Sequence, residues 1–315
     1  MKTLFDTSIP ERTWTTFPVE GLDFPIPGAL FRASNKPCCG VPLCGVGTGC
    51  VDIDAAGAWG YNSMFNGYTF NPDGVRMPRV PPTLWPMFGL AVEGQVWVLA
   101  SQEIVQGGFV PYCTEPMVLN AKDKKRQTKS VLCQDLKNVK AAEDIVYFGH
   151  FPVADLEYIT DAPVSVGLRA WAPFIPGDAL ASNLPAAVFE VHLRNAGDKP
   201  RQGTLAFNFA GPSAAEAMSG QFLRTPVDED LHGLLVSALG IDVSYCIAAI
   251  GEKVRVGAGL NRHPHHWSGI ASRLPVPESI ERDGGGQVSL NADASLALDF
   301  DLPAGGEKVV RFVLA

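Results

Sequence analysis

The sequence predicts an all-β fold, a two-sheet antiparallel β-sandwich with long loops and little helix. Three observations carry that expectation. Glycine and proline, 32 and 25 of 315 residues, make up about 18% of the chain against an ordinary sum near 12%, which favours turns over long helices. Apolar residues recur at every second position in segment after segment, the period of a strand with one buried face. Hydrophobic residues reach 46%, enough for a substantial core, and the length fits one large all-β unit or two smaller domains.

Taken in order, Pro10, Pro18, Pro25, Pro27 and Pro37 forbid a long helix at the start. Residues 1–37 therefore read as a Pro-rich arm that must lie on something, and 38–315 as the sandwich. GVPLCGVGTGCVDIDAAGAWG, from Gly40 to Gly60, reads as a tight loop feeding a strand, because glycines break an apolar run that ends in the alternating VDID. FGLAVEGQVWVLA, from Phe88 to Ala100, sets Glu93 and Gly94 between two alternating runs and predicts a hairpin. VSVGLRAWAPF puts Val164, Val166, Leu168 and Ala170 on one face, with Ser165, Gly167 and Arg169 on the other.

AAVFEVHLRN and RQGTLAFNFAG, joined through Gly197 and Pro200, predict the clearest hairpin in the chain. The apolar stretch from Leu234 to Gly251 is broken by Gly240 and Asp242 and reads as two strands, not a membrane span. SLALDFDL and EKVVRFVLA alternate on either side of PAGG. The last run stops at Ala315 with no polar tail, which predicts a longer parent protein. Two packed antiparallel sheets bury one face of so many alternating strands.

The charge balance, 33 acidic against 25 basic residues and −8 net, repels a polyanion and argues against nucleic acid. The basic run from Lys122 to Lys129 holds no aromatic residue on which a base could stack, and reads as a solvated loop. MKTLFDTSIPERTW has charges and a proline where a secretory signal needs an apolar run, and seven cysteines make an odd count. Both point to a reducing, cytoplasmic setting. Charged residues at 18% fall short of the roughly 25% usual in soluble domains, so part of the surface is expected to face a partner.

No constellation makes a convincing reactive centre. Cys38, Cys39, Cys44 and Cys50 supply four thiols, but adjacent cysteines are awkward tetrahedral ligands and no C-x-x-C knuckle occurs, so buried thiols are expected and no metal. His263, His265 and His266 read as a polar loop closed by Trp267. Gly45, Gly47 and Gly49 in GVGTG lack the lysine and following helix of a phosphate loop. They read as places where two backbones approach closely, and no cofactor is expected. Asp155 and Glu157, like Asp52 and Asp54, are strand neighbours sharing a face, near the separation of about 5–5.5 Å of a retaining glycosidase pair. Such spacing alone does not make a site. No G-x-S-x-G or H-E-x-x-H occurs.

GVPLCGVGTGCVDID, the MFNG of Met64 to Gly67, and above all the long run from Pro152 to Asn195 resemble the N-terminal domain of the bile-acid β-glucosidase, or non-lysosomal glucosylceramidase, family (glycoside hydrolase family 116). The likeness spans about Arg32 to Ala315. It implies a β-sandwich that supports a C-terminal (α/α)6 helical domain, where the nucleophile and acid/base of a retaining β-glucosidase lie. Neither catalytic motif matches a position here, so the resemblance assigns no catalytic residue to this chain. Cys44 and Cys50 stand where the family usually has Gly and Ser, and Tyr61-Asn62-Ser63 replaces its Asn-Trp-Gln. The implied function is a non-catalytic scaffold whose partner is the helical domain of the same parent, with a β-glucoside or glucosylceramide-like substrate at the cleft. Gly45, Gly47, Gly49, Trp59, Phe65 and Asn66, with the Pro-rich arm, are the expected docking face. The alternative is a self-sufficient carbohydrate-binding sandwich in which Trp59, Trp85, Trp97 or Trp171 stacks on sugar rings.

Overall fold

The computed structural model describes residues 2–37, 39–64, 69–70, 76–77, 85–106, 136–212, 214, 216–260, 264–276, 279–281 and 287–315. Within them the chain runs through β1 (Thr15–Phe17), β2 (Ile26–Gly28), β3 (Phe31–Arg32), β4 (Pro42–Leu43), β5 (Cys50–Asp54), β6 (Ala58–Ser63), β7 (Thr69–Phe70), β8 (Arg76–Met77), β9 (Trp85–Pro86), β10 (Phe88–Val92) and β11 (Gln95–Ser101). Then come the short helix α1 (Gln102–Gln106), β12 (Val139–Ala142), β13 (Asp144–His150), β14 (Val153–Ile159), β15 (Ser165–Trp171), α2 (Ala179–Ser182), β16 (Ala187–Arg194) and β17 (Arg201–Phe209). The last third holds β18 (Phe222–Asp228), β19 (Leu231–Ala238), β20 (Ser244–Ile250), β21 (Arg255–Gly257), α3 (Pro264–Ser268), β22 (Ser279–Glu281), β23 (Gln287–Ser289), β24 (Ala294–Leu302) and β25 (Glu307–Leu314).

Two sheets make the body. The larger has eleven strands in the order β22-β23-β18-β19-β20-β25-β16-β15-β14-β13-β3, and the smaller has six, β12-β11-β10-β17-β24-β21. Nearly every pairing is antiparallel, the exception in the smaller sheet being β11 with β12. This is the all-β, sandwich-like architecture that the alternation predicts. The hairpin at Glu93-Gly94 is present, with Val92 opposite Gln95. Both turn residues have positive φ, 53° and 81°, as a two-residue I′ connection requires.

The hairpin expected between β16 and β17 is not there. β16 lies in the larger sheet between β15 and β25, whereas β17 lies in the smaller one between β10 and β24. The connection is an arch that carries the chain from one sheet to the other, and the link from β24 to β25 is a second arch beside it. Asn195, almost wholly buried, ties the two together. Its side-chain amide donates to the carbonyls of Lys199 and Pro303, each at 2.8 Å, and its backbone N–H donates to the Gly306 carbonyl at 2.9 Å. A polar side chain survives burial there because its donors are satisfied.

Because the arches join strands facing each other across the core, their alternating apolar residues meet. Phe189 stands opposite Phe312 in the larger sheet and Phe88 opposite Phe207 in the smaller. Ring centroids lie 4.9 Å apart for Phe88–Phe207, 5.2 Å for Phe189–Phe207 and 5.1 Å for Phe207–Phe312. Val164, Val166, Leu168 and Ala170 all point into this core, as their period-two spacing predicts. Outside the smaller sheet, Trp267 of α3 and Ile270 pack over Gly89, so part of the expected His-rich loop is a short helix anchored by its tryptophan. Among the described residues no helix is long and apolar enough to cross a membrane.

The Pro-rich arm lies on the outer face of the larger sheet. Leu4, Phe5, Phe17, Val19 and Leu30 are buried against Val146 and Phe148 of β13. Replacing Phe207 with alanine is expected to lower unfolding free energy by about 3–5 kcal/mol. Chemical denaturation would check this, with Phe207→Leu losing clearly less.

Candidate functional site

The segment from Cys44 to Gly49 links β4 to β5, whose register pairs Pro42 with Asp52 and Leu43 with Val51. Of its glycines, Gly45 makes the close backbone approach that the sequence suggests, while Gly47 and Gly49 supply backbone conformation instead. A Cβ on Gly45 would lie 2.6 Å from backbone atoms of Asn183 and Leu184, so only glycine lets these two backbones meet. Gly47 and Gly49 have φ of 83° and 97°, the left-handed region that favours glycine. Val46 N–H donates to the Ser182 carbonyl at 2.8 Å, and the Asp178 side chain caps α2 by accepting from Ala181 N–H at 2.9 Å. Loop and helix thus form one braced ledge.

That ledge shows apolar side chains to the outside. Val46, Phe174, Ile175, Leu180 and Leu184 are exposed, Leu180 to 85%. Phe151 extends the patch, its ring edge-on to Phe174 with centroids 5.3 Å apart. Beside the ledge opens a half-enclosed cavity of about 320 Å³ lined by Cys44, Thr48, Cys50, Pro185, Tyr245 and Ala315, among others. Ala315 is fixed there by a reciprocal backbone pair with Cys246, at 2.7 and 3.0 Å. Burial pushes the Cys44 thiol up to about 12, with Cys50 adding to the rise and the Val51 amide opposing it.

Trp59 is not on this face. β6 turns it into the core, where it is 3% exposed, donates its indole N–H to the Asn208 carbonyl at 2.8 Å and packs on Phe189 and Phe209. The reading of Trp59 as a docking or sugar-stacking ring is therefore corrected, because its apolar surface is already used inside. Trp97 is likewise buried, its indole N–H donating to Asp161 at 2.6 Å, while Trp85 and Trp171 are half-buried. Phe65, Asn66, Cys38, His263 and the run from Lys122 to Lys129 lie outside the described residues. The arm, expected to dock on a partner, lays Leu4, Phe5, Phe17, Val19 and Leu30 on its own sheet and leaves Trp14 and Phe24 exposed.

The carboxylate pairs are also accounted for. Asp155, fully buried, accepts from Arg169 Nε at 2.8 Å and Nη2 at 2.9 Å, with His150 Nε2 3.1 Å away. Glu157 takes both terminal nitrogens of Arg194, at 2.9 and 3.0 Å, and the Leu4 N–H at 2.7 Å. Burial raises the Glu157 pKa, with Arg194 pulling against it. Gly167 makes this pair possible, since a Cβ there would sit 2.7 Å from the Glu157 carboxylate and 2.8 Å from the Arg194 guanidinium. Asp52 accepts from Gly40 N–H, and Asp54 from Lys36 and Ala56 N–H. These acids hold strands and arm together, and the guanidinium and amide donors occupy the lone pairs a sugar would need. The arginines were missed by sequence reasoning. The signal for Arg169 was its pairing with Asp155, which only a strand register exposes, whereas Arg194 reaches Glu157 diagonally, from a position two residues beyond the His192 that pairs with Gly167. His266 donates its Nδ1–H to the Gly259 carbonyl, 2.7 Å away, and among the described residues no three His, Cys, Asp or Glu side chains are grouped to hold a metal.

Residues 40–315 match the family described as beta-glucosidase 2, glycosyl-hydrolase family 116 N-term. The chain belongs to this family. No curated protein matches it. Among solved structures the family-116 domain is similar to a 4-alpha-glucanotransferase from Thermococcus litoralis, at 9% identity and TM-score 0.35, covering 97% of this chain and 40% of that one. It is also similar to a human-microbiome protein assigned as a kojibiose phosphorylase, at 10% identity and TM-score 0.23, covering 55% of this chain and 18% of the other. A Klebsiella pneumoniae protein assigned as an aldose 1-epimerase gives 11% identity and TM-score 0.29 over 85% and 76% of the two chains. Likenesses this loose bear on nothing further, and the chain spans well under half the length of the first two proteins. What family membership establishes is a glycoside hydrolase-related domain.

In this family-116 domain, Arg194→Ala strands a buried carboxylate and is expected to lower stability by about 3–5 kcal/mol. Replacing Arg194 and Glu157 together with leucine and methionine should recover much of that loss. Urea unfolding of the two variants beside the parent checks both signs.

Proposed function

We propose that this domain is the non-catalytic β-sandwich scaffold of a retaining β-glucosidase or glucosylceramidase-like hydrolase, and that it supports the catalytic helical domain of the same parent. The observation that carries this reading is the apolar ledge of Val46, Phe174, Ile175, Leu180 and Leu184 beside the cavity at Ala315. A contiguous exposed apolar surface of this kind marks an interaction site, and domain interfaces within one chain are built from such surfaces. Its rigidity suits a scaffold, because bonds from Val46 to Ser182 and across α2 fix the ledge before any partner arrives. Membership of an N-terminal domain family supports a separate catalytic domain as the partner, and in this reading that domain is helical and carries both catalytic carboxylates. In that arrangement the glycine loop lies near the joint, and a β-glucoside or glucosylceramide-like substrate binds at the cleft on the helical side. The odd cysteine count supports a cytoplasmic setting.

Co-expression with the helical domain tests the reading. The pair should co-purify and hydrolyse an aryl β-glucoside, while this chain alone is silent in hydrolysis and in glucoside titration. Val46→Asp with Leu180→Asp should weaken the association at least tenfold and leave the melting temperature of the isolated domain nearly unchanged, since both side chains are solvent-facing. Hydrolysis or saturable sugar binding by the isolated domain would overturn the scaffold assignment.

A further inference from the structure

The glycine loop carries a thiol at each end, Cys44 and Cys50. β4 and β5 pair Pro42 with Asp52 and Leu43 with Val51, so Cys44 and Cys50 flank the last of these rungs on the same side, one at each end of the glycine loop. Both cysteines are half-buried and line the same half-open cavity, so a reagent in solution has a route to them. They are close enough for the charge of one to act on the other.

Backbone conformation gives a second, independent sign. Cys44 has φ of 91°, and with Arg12, Glu93 and Met218 it is one of four non-glycine residues in the positive region among the described residues. Glycine would meet the same turn without strain. Strain held at one non-glycine residue points to a use for its side chain, and here the side chain is a thiol that shares its cavity with a second thiol.

We propose that Cys44 and Cys50 are a dithiol–disulfide pair that closes across the glycine loop when a small disulfide oxidant such as oxidised glutathione is present. Cys50 thiolate attacks one sulfur of the oxidant, forming a mixed disulfide and releasing one glutathione thiolate. Cys44 then gives up its proton and attacks the Cys50 sulfur, forming the Cys44–Cys50 bond and expelling the second glutathione. Two protein thiols are oxidised and one small disulfide is reduced to two thiols, so electrons and protons balance. Cys44 is the resolving partner, since burial keeps it protonated. Closure would clamp the loop that forms one end of the apolar ledge. The pairing goes beyond the scaffold role and stands whether or not that role holds.

The test uses the intact natural chain, folded, incubated with oxidised glutathione, then alkylated and digested under denaturing conditions with chymotrypsin. Cleavage after Leu43 and Trp59 isolates Cys44 and Cys50 on one peptide, away from Cys38 and Cys39. The expected product is that peptide lighter by two hydrogens, with no glutathione attached, restored by dithiothreitol. With Cys44→Ser, the peptide should instead retain one glutathione on Cys50. Alkylation of both thiols, a glutathione on each, a bond to any other cysteine, or closure only in urea would each overturn the proposal.

Discussion

Phe207 sits where the two sheets press together, and the rest of the domain is arranged around keeping it there. Its ring contacts Phe88 from its own sheet and Phe189 and Phe312 from the opposite one. Burying four such rings between two twisted sheets is a large apolar gain, and it favours an arrangement in which β16 and β25 face β17 and β24. The paired arches follow from that demand. A hairpin would have placed Phe189 and Phe207 side by side on one sheet, with no opposite layer supplied by the same short connection.

The outer face of the larger sheet is governed by charge instead. Asp155, Arg169, Glu190 and Arg311 stand in one row across β14, β15, β16 and β25, alternating in sign. The Arg311–Glu190 end is half open to water, with Nε to Oε1 at 3.4 Å, and contributes little. The Asp155 end is fully buried under the arm, where Arg169 also donates to the Glu20 carbonyl at 2.6 Å. Desolvated charges persist there because each has a partner of opposite sign and directed hydrogen bonds. The arm is thus a lid on an ionic layer, which explains why a Pro-rich, irregular segment stays in place.

These two layers leave the apolar groups of the ledge around α2 uncovered, as Trp14 and Phe24 are on the arm. Nothing in the core or in the ion-pair row calls for Leu180 or Ile175 to be apolar, since both project outward. The bracing of Val46 on Ser182 and the close approach at Gly45 nevertheless hold that surface firmly. The carboxylate pairs, by contrast, are taken up by arginine, lysine and backbone partners.

Sequence alone determined the strands, the I′ hairpin at Glu93-Gly94, the inward face of Val164 to Ala170, and the backbone approach at Gly45, because each follows from local rules: a period of two, a demand for positive φ, a missing Cβ. Tertiary structure decided whether successive strands stay in one sheet or cross to the other, since alternation looks the same in a hairpin and in an arch. It also decided that Trp59 faces inward, that Asp155 and Glu157 meet Arg169 and Arg194 instead of a ligand, and that Trp267 anchors a short helix. Those outcomes depend on partners far away in the chain, from Leu4 to Asn208, and no local pattern encodes which distant group arrives at a given face.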